Sequence, residues 1–400
     1  FSQIAGELRL RDSLLAILLG LTAGAITWFA PGRLNLPEPS GETDDHADGL
    51  NMLWAGSLGV LAALAPVILG SRHVIFPIFS RFTLPASAGG ILVLGGLLLA
   101  FGRPGQGRRS AVQRWAPAAL AGLAVMTHFG YAVYFASGWE TIRNFWWQVS
   151  WRAPQIEPET VLAAEYPGAG ILEDYYIWGP ANLIYYPERY TVDSTDRTPL
   201  AAVLLTTDSV QNIRLGRALS DRERRGLTST QDLGRVLLLS RPTDSSCVHL
   251  FDGRFPELSE QESYKMALAA PFSDAGLVQV DAPAHTPPAE LFGVEPAHTW
   301  CYYYQKASLA RQRGDWAEAA RLGDEAQAKN ERPSDRVEWM PFIQAYAYMG
   351  RYDDAGRIAP IIKDSPFLKS QACSIFTADQ AGFGKQFPDG QQYLKETYCN

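Results

Sequence analysis

The sequence predicts a membrane α-helical bundle of about four transmembrane helices, followed by a soluble extracytoplasmic α/β domain and C-terminal helical hairpins. Three observations predict it. Residues 1–157 alternate long apolar runs with short loops, contain no lysine and are close to charge-balanced, whereas the remainder holds every lysine and the excess of acid that sets the net charge of -7. The stretch Trp139–Pro154, where the two halves meet, is dense in tryptophan and arginine. Late in the chain, a glycine followed two residues on by an aromatic recurs 36 residues later, between segments that read as helices. Averaged over 400 residues, the two halves together mimic a soluble protein, and neither does so alone.

The chain opens at Phe1. Phe1–Asp12 lacks a basic n-region, and no small-residue cleavage site follows the apolar run, so it does not read as a signal peptide. The expectation is a fragment with further membrane helices upstream. Four segments approach the ~20 residues that a bilayer requires: about Ser13–Ala30, Leu53–Gly70, Ala86–Phe101 and Ala116–Ser137. Arg103, Arg108, Arg109 and Arg114 crowd the loop between the third and fourth, which the positive-inside rule makes cytoplasmic. Everything after Trp139 then lies outside the cytoplasm. The same parity puts Arg9 and Arg11 outside and the acidic loop over 31–51 inside, a conflict that leaves the first two segments open. His128, ionisable at membrane depth, is a functional candidate by default and the one hint of transport.

Trp139, Trp146, Trp147 and Trp151, with Arg143 and Arg152 among them, have the composition of a membrane–water boundary. Read as a helix, Trp139, Ile142, Trp146 and Val149 share one face. The domain reading is therefore a transmembrane domain over 1–138, an interfacial helix over 139–156, an α/β domain over 157–270, a linker over 271–299 and a helical region over 300–400.

In the α/β domain, Thr160–Ala164, Leu200–Leu205, Val236–Ser240 and Cys247–Phe251 are apolar runs of strand length. Asp174–Tyr186 reads as a helix broken at Gly179–Pro180, and Ser220–Thr230 as a solvated loop or helix end. Glu165, Glu173 and Asp174 cluster with Tyr175, Tyr176 and Trp178 in the way of a sugar-binding surface, where rings stack on the sugar and carboxylates accept its hydroxyl hydrogens. Gly168-Ala169-Gly170 lacks the third glycine and the basic residue of a nucleotide loop. Phe272–Thr299 is rich in proline, alanine and histidine, a linker or extended wrap whose His285 and His298 read as solvated.

All four cysteines, Cys247, Cys301, Cys373 and Cys399, fall in the second half, which fits an oxidising compartment. Three pairings exist for four cysteines. One of them, Cys247–Cys301 with Cys373–Cys399, would staple the helical region to the sheet and tie down the C-terminus. The sequence does not choose among the three. No CxxC or HxxxH spacing marks a metal site, so no cofactor is identified, and a divalent metal is possible but unmotivated by any ligand spacing. The acidic balance argues against nucleic acid.

Three resemblances add to this. Gly314-Asp315-Trp316 with Ala319, repeated as Gly350-Arg351-Tyr352 with Ala355, is similar to the turn and second helix of the tetratricopeptide repeat, which implies a surface for a protein partner. Arg-Phe-Thr-Leu-Pro (81–85), followed by a Gly/Ala/Leu helix and an Arg-rich loop, resembles the R-Y-x-L-P start of a late transmembrane helix in GT-C class membrane glycosyltransferases. That resemblance implies a polyprenyl-phosphate-linked sugar donor used on the extracytoplasmic face. Arg81, flanked by Arg72 and His73, would hold the donor phosphate. Glu165, Asp174, Tyr175 and Trp178 would hold the acceptor. The catalytic acid of that class lies in its first extracytoplasmic loop, and no residue here matches it. Finally, FPIFSRFTLP (Phe76–Pro85), FWWQVSWRAP (Phe145–Pro154) and EPAHTWCYYYQKASLARQRGDW (Glu295–Trp316) resemble a group of uncharacterised bacterial polytopic membrane proteins. Two functions follow as expectations: the C-terminal part of a GT-C-like glycosyltransferase, or a membrane-anchored interaction protein that works through its repeat region.

Overall fold

The computed structural model describes residues 9–29, 45–71, 83–100, 107–166, 173–189, 198–224, 227–379 and 382–400. The chain forms two compact units, Phe1–Ser137 and Gly138–Asn400.

In the first unit the four apolar runs are helices: α1 (Leu10–Phe29), α2 (Asp45–Leu69), α3 (Leu84–Ala100) and the start of α4 (Gly107–Arg152). Three helices are long and apolar enough to cross a membrane, and α3, at 17 residues, is shorter. Their large side chains face outward; Trp54, Ile68 and Ile91 are all exposed. Where the helices touch, glycine removes the side chain. A Cβ on Gly56 would lie 2.6 Å from the Gly89 carbonyl oxygen, and one on Gly96 would lie 2.6 Å from that of Gly49. Pairing 56 with 89 and 49 with 96 makes α2 and α3 antiparallel, with backbone contact every seven residues. Gly20 meets Gly122, and Gly24 meets Ala118, in the same way between α1 and α4.

The end of α4 belongs to the second unit, and here the boundary reading is corrected. Trp146, Trp147 and Trp151 are 0%, 3% and 6% exposed, so they sit in a protein core and not at lipid headgroups. Trp139 alone of the four is exposed. One face of α4, with Ile142, Phe145, Trp146 and Val149, packs on a sheet. On the other, the Trp147 indole N–H donates to the Phe292 carbonyl (3.1 Å) and that of Trp151 donates to Glu295 (2.9 Å). A helix apolar on both faces is a core helix.

The described strands are β1 (Val161–Glu165), β2 (Ala201–Ala202), β3 (Ala218–Arg224), β4 (Leu227–Asp232), β5 (Val236–Ser240) and β6 (His249–Leu250). Four make a mixed sheet in the order β2-β1-β5-β6, parallel except for β6. Alternation divides its faces. Leu162, Ala164, Leu237 and Leu239 meet α4 and α5 (Tyr175–Tyr185), and Val161, Ala163, Val236 and Leu238 meet α6 (Thr207–Arg214) and α7 (Tyr264–Ala269).

Three local expectations change. The second strand shrinks to Ala201–Ala202, because Thr206 and Ser209 form a capping box that starts α6. The segment over 220–230 belongs to an antiparallel hairpin, β3–β4, with Arg222 opposite Ser229. Helix α5 continues through Pro180. An interior proline costs about 3 kcal/mol. Burial of Ile177, Ala181, Ile184 and Tyr185 on the sheet outweighs it, and Asn182 adds two hydrogen bonds to the Leu200 backbone.

Phe272–Thr299 wraps the unit. Val278 bridges to Ile156, and Phe292, in the short α8 (Ala289–Phe292), is buried. Then come α9 (Trp300–Arg313), α10 (Trp316–Ala328), α11 (Met340–Tyr348), α12 (Tyr352–Lys363), α13 (Pro366–Asp379) and α14 (Pro388–Cys399), around one apolar core. Gly314 and Gly350, with φ of +77° and +71°, take the left-handed turns after α9 and α11. Ala319 and Ala355 are fully buried. Disulfides join Cys247 to Cys301 and Cys373 to Cys399, and no cysteine is free.

Candidate functional site

The second unit contains a pocket of about 90 Å³ where the sheet edge meets the helical region. Arg152 at the end of α4, Arg254 after β6, and Ser308, Arg311 and Trp316 of α9 and α10 line it. Two of its three guanidiniums are neutralised. Arg311 makes a two-pronged pair with Glu257 (2.5 and 2.9 Å), and Arg254 makes one with Asp252 (3.1 and 2.7 Å). Burial works to lower the Arg311 pKa, and the Glu257 charge and hydrogen bonds more than reverse this.

Arg152 has no such partner. It is 7% exposed, and its Nη1 is buried without a hydrogen-bond acceptor among the described residues. Ser308 Oγ and Trp316 Nε1 are also buried and unpartnered. Burial and the Arg311 charge lower the Arg152 pKa to about 10 while Tyr304, Asp252 and Glu257 oppose them, so the guanidinium stays charged at physiological pH. Three carboxylates, Asp252, Glu257 and Asp379, line the pocket with the three guanidiniums, and Arg152 is the guanidinium that makes no hydrogen bond to any of them among the described residues.

His249 of β6 also lines the pocket, and behind it lies a buried acidic cluster. Its Nε2 is 3.6 Å from Glu338 and its Nδ1 is 3.9 Å from Glu262, both beyond hydrogen-bond length. Glu338 accepts the Cys247 backbone N–H and the Trp300 indole N–H, each at 2.7 Å. Glu262 accepts the Ser240 hydroxyl. Burial pushes the carboxyls of Glu262 and Glu338 above their ordinary range, with His249 opposing. Burial pulls the His249 pKa down, and Glu338 more than offsets it, so the net shift is upward. His249, Asp335 and Glu338 each place one donor atom within 4.8 Å of the others, a spacing that could hold a metal ion.

The sequence-predicted residues fall elsewhere. Arg72, His73 and Arg81 lie outside the described residues, as does Gly168-Ala169-Gly170. Glu165 accepts the Ser263 hydroxyl at the end of β1, whereas Asp174, 2% exposed, pairs with Arg222 of the hairpin. The two carboxylates thus turn to different partners. Tyr175 and Tyr176 stack edge-tilted at 4.6 Å, and Trp178 packs against the core. His128 is exposed on α4. His298 stacks on Tyr302 at 3.5 Å and meets Glu295 at 3.0 Å, so it is held and not merely solvated. Arg152 was visible in the sequence only as a boundary arginine. His249, Asp335 and Glu338 carried no local signal, because tertiary structure alone gathers them. No protein-family model, curated protein or solved structure matches the chain.

Proposed function

We propose that this chain is a multi-pass membrane protein whose globular unit works outside the cytoplasm as a binding module for an anionic group, phosphate or carboxylate, with Arg152 as the anchor. The carrying observation is the buried, unpaired Arg152 guanidinium facing a pocket with further unpartnered donors. An anion there would accept from Arg152, Ser308 and Trp316 together, and charge-assisted bonds in a low-dielectric pocket are the strong ones. Three long apolar helices support the membrane setting, and two disulfides with no free cysteine support an oxidising compartment. The tetratricopeptide-like helices serve in this reading as one wall of the pocket.

The test titrates the purified full chain in detergent with inorganic phosphate, a sugar phosphate and acetate, and reads heat of binding and melting temperature. Saturable binding that Arg152→Gln and Ser308→Ala each weaken at least tenfold is expected. A folded wild-type chain that binds none of the three overturns the proposal.

The glycosyl-transfer reading is the second proposal, and one observation favours it: a lipid-linked sugar phosphate is itself an anion of the class the Arg152 pocket would accept. Its donor residues would be Arg81, Arg72 and His73. Release of polyprenyl phosphate from lipid-linked sugars, lost in Arg81→Ala, is the result it requires.

A further inference from the structure

We propose that His249, Asp335 and Glu338 bind one divalent transition-metal ion, zinc before others, in a buried site, with Glu262 orienting the imidazole from its far side.

Geometry is the first support. Two ligands about 2.0–2.1 Å from a tetrahedral ion lie about 3.4 Å apart. His249 Nε2 and Glu338 Oε1 are 3.6 Å apart, too far to share a proton well and close to the separation of two ligands on one ion. Asp335 brings a third donor within 4.8 Å of both. The second support is what the site leaves unmet. His249 is 2% exposed, and its ring nitrogens face Glu338 at 3.6 Å and Glu262 Oε2 at 3.9 Å, within ion-pair distance but beyond hydrogen-bond length. Three buried polar atoms held apart in this way leave room for an ion that would bring them to bonding distance.

One imidazole with carboxylate oxygens suits zinc, and manganese or iron(II) less well. The supporting shell is in place: the Cys247 N–H and Trp300 indole fix Glu338, and Glu262 faces the Nδ1 edge of His249. A carboxylate behind a ligating histidine is the usual way to fix its tautomer and direction. Three protein donors leave the fourth tetrahedral position to water, and with Glu338 0% exposed and Asp335 9% that position is shielded from bulk solvent. The ion would join β6, the loop before α7 and the turn before α11, beside the Cys247–Cys301 disulfide.

The experiment uses the tag-free full chain in detergent. It is stripped with chelator, reloaded with zinc or cobalt, desalted and measured for bound metal and melting temperature, with no anionic ligand present. About one zinc per chain and a raised melting temperature are expected, with metal lost in His249→Gln and affinity about 10–100-fold weaker in Glu262→Gln. Cobalt-loaded wild type should show hyperfine-shifted imidazole proton signals, a readout that stands if the His249 variant does not fold. A folded wild type that retains no zinc or cobalt overturns the site, because a protonated histidine between two glutamates needs no metal. So do undiminished metal in His249→Gln and the absence of shifted imidazole signals.

Discussion

In the apolar unit helices meet where side chains are missing, and in the globular unit they meet where side chains are largest. Gly56 against Gly89 and Gly20 against Gly122 bring backbones into contact, while bulky residues such as Trp54 point outward. In lipid, apolar side chains gain nothing by leaving their solvent, so association rests on close packing. In water the reverse holds, and Trp146, Phe145 and Tyr185 are buried almost completely. Helix α4 shows both modes in one element. Its early turns offer Ala118 and Gly122, and its last turns offer a set of buried aromatics ending at Arg152. The difference teaches that a tryptophan cluster beside an apolar run is ambiguous: it marks either a lipid boundary or the first core element of the next domain.

The largest expected effect tests that ambiguity. Trp146→Ala should destabilise the globular unit by about 3–5 kcal/mol through the cavity it leaves. Trp139→Ala, at a residue 43% exposed, should cost well under half as much. Thermal unfolding followed by near-UV circular dichroism separates them. Equal, small effects would restore the boundary reading. Next come the disulfides. Loop entropy assigns about 4 kcal/mol to Cys247–Cys301, which spans 54 residues, and about 3.5 kcal/mol to Cys373–Cys399, which spans 26. Paired Cys→Ala variants in chemical denaturation should show losses up to these values, the first pair losing more. In the apolar unit, Gly89→Leu should cost about 1–3 kcal/mol, since its new atoms would meet Gly56 and Val60. Gly90→Leu, with nothing within 4 Å, should be near neutral. Melting of the detergent-solubilised chain, read by size-exclusion recovery, gives the comparison, and equal losses at both positions would break the account of glycine packing.

Local patterns carried much of the fold to the surface of the sequence. Apolar length marked α1 to α4, and continuous Val/Leu runs marked β1 and β5. The left-handed glycines Gly314 and Gly350 marked the helix ends at which they stand. What stayed hidden depended on distant partners. The hairpin over 218–232 is polar along both strands, so alternation gave no signal. Pro180 looked like a helix breaker because the burial that overrides it comes from strands remote in sequence. The site was hidden most completely. Arg152 reads as a lipid-facing arginine until the fold encloses it, and His249 is 86 residues or more from Asp335 and Glu338, so no motif spacing can join them.

The smallest expected effect concerns the surface of the helical region. Arg351 bonds both oxygens of Asp324 (2.7 and 2.8 Å), linking the turn after α11 to α10, and Tyr346 donates to the same carboxylate. The Arg351 hydrogen bonds hold the Asp324 carboxyl below its ordinary range. A carboxyl whose pKa is lower folded than unfolded adds stability above its unfolded value and loses it as pH falls through the folded one. Asp324→Asn should therefore lower stability at pH 7 and leave it unchanged at acid pH, where the wild-type carboxyl is protonated too. Both side chains are more than a third exposed, 37% for Arg351 and 47% for Asp324, so solvent screens the pair and the loss at pH 7 should stay under about 1 kcal/mol. Melting curves of the two proteins across this pH range, at low and high salt, supply the readout. A loss that persists at acid pH would show that packing around Tyr346, and not the ion pair, joins the two helices.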